Sequence, residues 1–250
     1  MGIIDVHGHF GRWPFPLRMP GGFSRGGSVR SLLELMERFD IETAIVSSSK
    51  AIVYDMAEGN AELAEALQHT DGLRGYVTTN PNYVGASCRE MDRYLPRSKF
   101  VGVKIHPTYS RCALGTPRMA NLIGEIARRQ AILKIHTFSA AAARAMAAEA
   151  ARHPRMPIIL AHAGGAEARE TATVARDHPN VYLEFCCGHA ERGKVRAAIQ
   201  TAGLERILFG SDLDLINPAF VLGMYEGADL TDAEKRAIYH DNAARLFGLS

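Results

Sequence analysis

Along the chain, short apolar runs rich in β-branched residues alternate with longer segments whose apolar positions recur at helical spacing. Runs at Ile3 to His7, Thr43 to Ser47, Gly72 to Thr78, Phe100 to Ile105, Ile132 to His136, Pro157 to His162, Val181 to Phe185 and Arg206 to Gly210 read as eight strands. Helical spacing covers Val29 to Phe39, Ala61 to His69, Ala86 to Tyr94, Arg118 to Arg129, Ala140 to Arg152, Ala166 to Asp177, Glu191 to Ala202 and the region after Asn217. Local signals agree with the pattern. Ser139 stands where it caps the alanine-rich segment that His153-Pro154 stops. Thr231-Asp232-Ala233-Glu234 has the capping-box form and opens a last helix ending near Phe247-Gly248.

Eight alternating β and α units in 250 residues predict an α/β chain folded as one (β/α)8 TIM barrel, a single domain over residues 1–250. The competing doubly wound sheet is disfavoured, because the first strand is followed by GHFGRWPFP rather than by G-x-G-x-x-G running into a helix. The longest connections, Phe10 to Ser28 and Ser47 to Gly59, follow strands one and two. They would lie on the face where barrel enzymes keep their active sites and are predicted substrate lids.

Composition narrows the function classes. A hydrophobic fraction of 47% and a charged fraction of 22% give a sizeable core and no long disorder. The net charge of +2, with no block of Lys and Arg, lacks the electrostatic footprint of a nucleic-acid partner. No run approaches a membrane span, the N-terminus has no secretion-signal pattern, and Val6 spoils a myristoylation motif, so a cytoplasmic location and no membrane partner are expected. Cys88, Cys112, Cys186 and Cys187 lack zinc-knuckle spacing and read as reduced packing thiols.

The histidines change the picture. Of ten, His7 and His9 fall after strand one, His106 after four, His136 after five and His162 after six, while strand eight runs into Ser211-Asp212. In a closed barrel these strand ends form one ring. Alternation in the first strand places Asp5, His7 and His9 on one face, opposite Ile4 and Val6. The same rule puts Ile132, Lys134 and His136 on one face, and Ile158, Leu160 and His162 on another, both facing the barrel axis. His69, His153, His178, His189 and His240 sit at helix ends or in helices and are assigned no task. A gathering of imidazoles and a carboxylate stacks desolvation costs that a divalent ion would repay. Such an ion lowers the pKa of bound water to about 7, making a nucleophile at neutral pH.

Taken in order, DVHGHF, GVKIHP, ILKIHTF, ILAHAGG, NVYLEF, RILFGSD and DNAARLFGL resemble the amidohydrolase superfamily, in particular its amidohydrolase-related, aminocarboxymuconate-semialdehyde decarboxylase-like branch. The resemblance spans nearly the whole chain. It implies that His7, His9, His136 and Asp212 ligate one divalent metal ion, zinc by preference with manganese or iron as alternatives, and that His162 and Asp212 manage protons. His106 either contacts substrate or only ends its strand. Binuclear relatives carry a carboxylated lysine on strand four, but Lys104 lies one layer below His106, which favours a single metal. Lys104 and Lys134 point inward by parity and would need counterions, for which Asp5 and Glu184 are candidates in a polar layer beneath the metal. After strand one, Arg12 and Trp13 are candidate substrate contacts with Phe15 beside them, and Arg111 is another after strand four, the arginines for a carboxylate and the aromatics as an apolar wall.

The expected activity is metal-dependent hydrolysis of an amide, lactone or ester of a small molecule. The alternatives are nonoxidative decarboxylation of an aromatic or enol acid and a catalytically silent ligand-binding barrel. Hydrolysis is preferred because decarboxylase relatives commonly carry pocket-building insertions that this compact chain has no room for. Homo-oligomerisation suits such proteins, though no stretch identifies an interface.

Overall fold

The computed structural model describes residues 2–186 and 188–249. Cys187 lies outside them, and Cys88, Cys112 and Cys186 are free thiols as expected. The eight strands are β1 (Ile3–Phe10), β2 (Ile41–Ser48), β3 (Leu73–Thr79), β4 (Phe100–Ile105), β5 (Leu133–His136), β6 (Ile158–Ala161), β7 (Val181–Glu184) and β8 (Ile207–Leu208). They form one parallel sheet in sequence order. The edges of β1 and β8 meet through Val6 N donating to Phe209 O at 3.0 Å, Leu213 N donating to His7 O at 3.1 Å, and a parallel bridge between Gly8 and Leu213. This is the (β/α)8 barrel that the alternating pattern predicts.

The helices are α1 (Val29–Arg38), α2 (Ser49–Val53), α3 (Met56–Gln68), α4 (Val84–Tyr94), α5 (Pro107–Ser110), α6 (Pro117–Arg128), α7 (Ala140–Arg152), α8 (Ala168–Asp177), α9 (Lys194–Ala202), α10 (Pro218–Glu226), α11 (Asp232–Arg236) and α12 (Asn242–Phe247). Caps read from sequence form as expected: the Ser139 side chain accepts from Ala142 N, and Thr231 with Glu234 makes a reciprocal capping box. The Ser47 to Gly59 connection is not an open lid. Ser48 caps α2 and Asp55 caps α3, so it folds into two helices packed so closely that a Cβ on Gly59 would lie 2.2 Å from Ala51 N. The Phe10 to Ser28 connection does remain irregular.

Two apolar layers explain the side-chain parity. Val103, Ile105, Leu133, Ile135, Ile158, Leu160 and Leu183 pack outward against helix residues such as Leu63, Met91 and Leu122. Ile4, Val6, Ile45, Tyr76, Ile159 and Leu208 fill the barrel axis, closed at the amino end by Ala243, with Phe247 packed against the cluster. Two expectations are corrected here. On β6 the outward residues are Ile158 and Leu160, so parity does not turn His162 inward. On β1 the axial residues are Ile4 and Val6, so regular alternation does not turn His7 inward either. Above these apolar residues lie Lys104 and Lys134, both fully buried.

The two lysines do point to the axis, but neither makes an ion pair with Asp5 or Glu184 among the described residues. Lys134 Nζ donates to Val6 O at 2.6 Å and lies 5.1 Å from the Tyr76 ring centroid. Asp5 turns instead to its own strand and to β8, accepting from His7 N at 2.9 Å, from Ser211 N at 3.0 Å and from the Ser211 hydroxyl. Burial pushes Asp5 up to about 6 against these hydrogen bonds.

Burial also pushes Lys134 down to about 7, with the charge of Lys104 adding to the effect. Between that value and the ordinary 10.5 of an unfolded lysine, the unfolded chain holds a proton that the folded one lacks, so stability should rise with pH through this window. Urea denaturation of wild type and Lys134→Met at pH 7 and pH 9.5 checks this. The variant is expected to lose more than about 1 kcal/mol of the wild-type gain between the two pH values.

Candidate active site

Three backbone irregularities turn the chemistry-bearing side chains to the axis. In β1 the pairing register advances from Asp5↔Ala44 to Gly8↔Val46, so three steps on β1 face two on β2. This bulge, held by the Asp5 hydrogen bond to His7 N, reverses the alternation and sends His7 and His9 inward. After β6 the chain enters a run of positive φ angles at His162 (66°), Ala163 (42°), Gly164 (79°) and Gly165 (61°), which swings the His162 ring over the barrel end. Gly164 could be nothing else, since a Cβ there would lie 2.0 Å from Thr171 Oγ1. After β8, Asp212 adopts φ 61°, and its carbonyl accepts from Leu215 N and Ile216 N at 2.7 and 3.0 Å.

These turns converge on a cavity of about 280 Å³ at the carboxyl ends of the strands. His7, His9, Lys104, His106, His136, His162 and Asp212 form its polar lining, and Trp13, Phe15, Tyr109 and Phe138 are its aromatic walls. Asp212 Oδ1 lies 3.0 Å from His9 Nε2 and 3.5 Å from His7 Nε2. His7 Nδ1 is 2.5 Å from Glu184 Oε1, and Lys104 Nζ lies 3.2 Å from His7 Nε2. His162 Nδ1 donates to Cys186 O at 2.7 Å, which makes Nε2 the free ring nitrogen. His136 makes only ring contacts among the described residues. It stacks on His106 at 4.0 Å, meets His162 edge-on at 4.5 Å, and lies parallel to Phe138 at 5.7 Å.

Electrostatics keep the imidazoles neutral. Burial pushes His7, His106 and His136 well below the ordinary histidine value, reinforced by the charge of Lys104. Burial lowers His9 and His162 as well, although Asp212 pulls both the other way. For Asp212 burial is a raising influence, but contact with His9 and the charge of Lys104 outweigh it and hold the carboxyl at about 2. The set is therefore a group of neutral nitrogen donors around one ionised carboxylate.

Such a set suits a divalent cation. Ligand atoms of His7, His9 and Asp212 lie within 4.8 Å of one another, and Asp212 Oδ1 and His9 Nδ1 are buried without an aligned hydrogen-bond partner. Buried polar atoms of this kind are what a metal ion satisfies. A second cluster, His7, His162 and Cys186, meets the same distance criterion. His136 belongs to neither group.

The remaining candidates divide. Trp13 and His106 line the cavity, Trp13 packing edge-on to His9 at 5.4 Å and to Tyr109 at 5.4 Å. Arg12 and Arg111 are exposed and do not line it. Arg12 follows the turn at Gly11 and faces solvent, while Arg111 ends the one-turn helix α5 with φ 49°. Lys104, placed one layer lower by sequence, reaches the cavity because its stem spans that layer. Sequence reasoning missed Phe138, two residues past β5, and Tyr109, in the one-turn helix α5 after β4, and it missed the contact of Glu184 with His7.

The family model for amidohydrolases matches residues 4–249, and the chain belongs to that family of enzymes. A search among curated proteins returns no match. Among solved structures, the chain is similar to 2,6-dihydroxybenzoate decarboxylase from Rhizobium, with TM-score 0.79, 19% identity, and coverage of 100% of this chain and 99% of that one. It is equally similar to dihydroxybenzoic acid decarboxylase from Polaromonas sp. JS666, solved with manganese and the inhibitor 2-nitroresorcinol (TM-score 0.79, 19% identity, 99% and 97% coverage). An amidohydrolase from Burkholderia multivorans with bound zinc matches at TM-score 0.79, 18% identity and 100% coverage of both chains. The barrel is common to all of them.

If the donor set holds a metal, protein stripped with chelator should gain stability when zinc or manganese is returned. The gain reaches about 4 kcal/mol at a thousandfold excess over Kd. Thermal melts with and without metal measure it, and His9→Asn is expected to abolish most of the rise.

Proposed function

We propose that this chain is a metal-dependent carboxy-lyase acting on a small aromatic acid. The observation that carries the reading is the cavity itself. Four aromatic side chains wall a space of about 280 Å³ in which Lys104 is the sole lysine or arginine among the described residues, with the imidazole and carboxylate donors at its floor. Aromatic walls favour a planar ring, and a lone ammonium favours one carboxylate. The barrels of two decarboxylases acting on dihydroxybenzoates, similar over nearly their whole length, support the same class.

His7, His9 and Asp212 are the residues that would hold the divalent ion, with His136, the fourth ligand the resemblance implies, lining the same cavity outside that group, and the ion would supply Lewis acidity toward a substrate oxygen. Lys104 pairs with the substrate carboxylate while Trp13, Phe15, Tyr109 and Phe138 hold the ring and exclude water. In the reaction the ring carbon bearing the carboxylate takes a proton, the carbon–carbon bond breaks, its electron pair returns to the ring, and carbon dioxide leaves. Asp212 and the free Nε2 of His162, both unprotonated at rest, stand as the groups that would take that proton from water or a substrate hydroxyl and pass it to the ring carbon. His106, stacked on His136 with its Nδ1 unpartnered, has a hydrogen bond to offer the substrate.

A second reading is hydrolysis of a lactone, ester or amide. It is favoured by one specific feature: Asp212 and His162 are both in their basic forms, which suits taking a proton from water better than giving one to carbon.

Metal-loaded protein assayed against hydroxybenzoate-type acids should release carbon dioxide, with turnover lost on chelation. Lys104→Met is expected to lower kcat/KM by about 100-fold, the factor that accompanies ~3 kcal/mol of lost charge pairing. Turnover of lactones or esters without carbon dioxide release would select the second reading, and no turnover in either series would remove both.

A further inference from the structure

We infer that Glu184 is the positioning residue of this centre, one buried carboxylate that fixes the tautomer of His7 and seats His162. The inference rests on the metal-dependent reading above and deepens it. Glu184 ends β7 and is fully buried, with no lysine or arginine in ion-pair distance among the described residues. Its two oxygens are committed to the site. Oε1 lies 2.5 Å from His7 Nδ1 and accepts from His162 N at 3.3 Å, and Oε2 accepts from Cys186 N at 2.8 Å. Cys186 is also the residue whose carbonyl takes the His162 Nδ1 proton. The same carboxylate therefore orients one imidazole directly and the other through two backbone groups.

A proton on His7 Nδ1, donated to Glu184, leaves the Nε2 lone pair on the side of Asp212. The Cys186 thiol also lies 2.8 Å from His7 Nδ1, but a thiol is a weak acceptor and a carboxylate a strong one, so the carboxylate decides the tautomer. The chain just past β8 is notched to allow the contact. A Cβ on Gly210 would lie 3.0 Å from both Glu184 Oε2 and His7 Cβ, close enough to force the pair apart. Three adjacent strands and one glycine thus combine to hold a single hydrogen bond.

Glu184→Gln separates positioning from bulk. A glutamine has the same shape but one acceptor oxygen and an NH₂, so either His7 Nδ1–H or Cys186 N–H loses its acceptor. Zinc titration against a competing chelator should give a Kd 10- to 100-fold weaker than wild type, in a variant whose metal-free circular dichroism is unchanged. A Kd within twofold of wild type would overturn the inference while leaving the metal reading intact, whereas a wild-type protein that binds no zinc would remove both. If Glu184→Gln fails to fold, Glu184→Asp, which keeps the charge and loses the reach, decides on the same titration. A further measurement needs no variant. Proton–nitrogen correlation spectra of zinc-loaded wild type should place the ring protons of His7 and His162 on Nδ1, and a His7 proton on Nε2 would overturn the inference.

Discussion

The cost of removing charge from water at one end of a barrel governs this molecule. Five imidazoles, a carboxylate and the Lys104 amine line one small cavity, and most of them are out of contact with solvent. An uncompensated charge in such a place is expensive, so the groups respond by shedding it. Burial holds the histidines neutral and lowers the lysines, while Asp212 stays ionised because its neighbours favour the anion. Neutral nitrogens around one anionic oxygen is the composition a divalent cation completes. The remaining features of the site, its tautomers, its unpartnered atoms and its aromatic lining, follow from arranging that composition and keeping water from dispersing it.

A regular barrel would not deliver these groups. Its alternation sends Ile4, Val6 and Ile159 to the axis and would send His7 to the helices. His7, His9, His162 and Asp212 arrive through departures from regularity, the bulge in β1, the left-handed run after β6 and the left-handed Asp212 after β8, whereas Lys104 and His136 follow plain alternation. Each departure is anchored by a polar contact outside the cavity. Asp5 holds the bulge, and Glu184 accepts from the backbone at His162. Local strain of this kind persists only where surrounding structure over-determines it, and here it coincides with the chemistry.

This division explains what was legible in the sequence. Strand and helix alternation, the barrel, and the convergence of His7, His9, His106, His136, His162 and Asp212 at one rim follow from strand-end positions, which tolerate errors of a residue or two. Facing does not tolerate them. A one-residue bulge in β1 parts Asp5 from His7 and His9, so Asp5 turned from a supposed partner of the lysines into the anchor of β1, and the left-handed turn at His162 parts that ring from Ile158 and Leu160, which face outward. Loop residues were legible only when rigid neighbours fixed them. Trp13 is held against His9 and Tyr109, whereas Arg12 and Arg111 follow or occupy positive-φ turns that carry them into solvent. Glu184 was read for its charge alone, because nothing in the spacing of β7 reveals that the chain just past the last strand sets a glycine opposite it.

The central claim is that His7, His9 and Asp212 meet around one cation. Diffraction across a metal absorption edge, on crystals grown with zinc or manganese and without chelator, tests it most directly. The account predicts an anomalous peak at bonding distance from His7 Nε2, His9 Nε2 and an Asp212 oxygen. A map with no peak there, and with these three side chains turned away from one another, would contradict it.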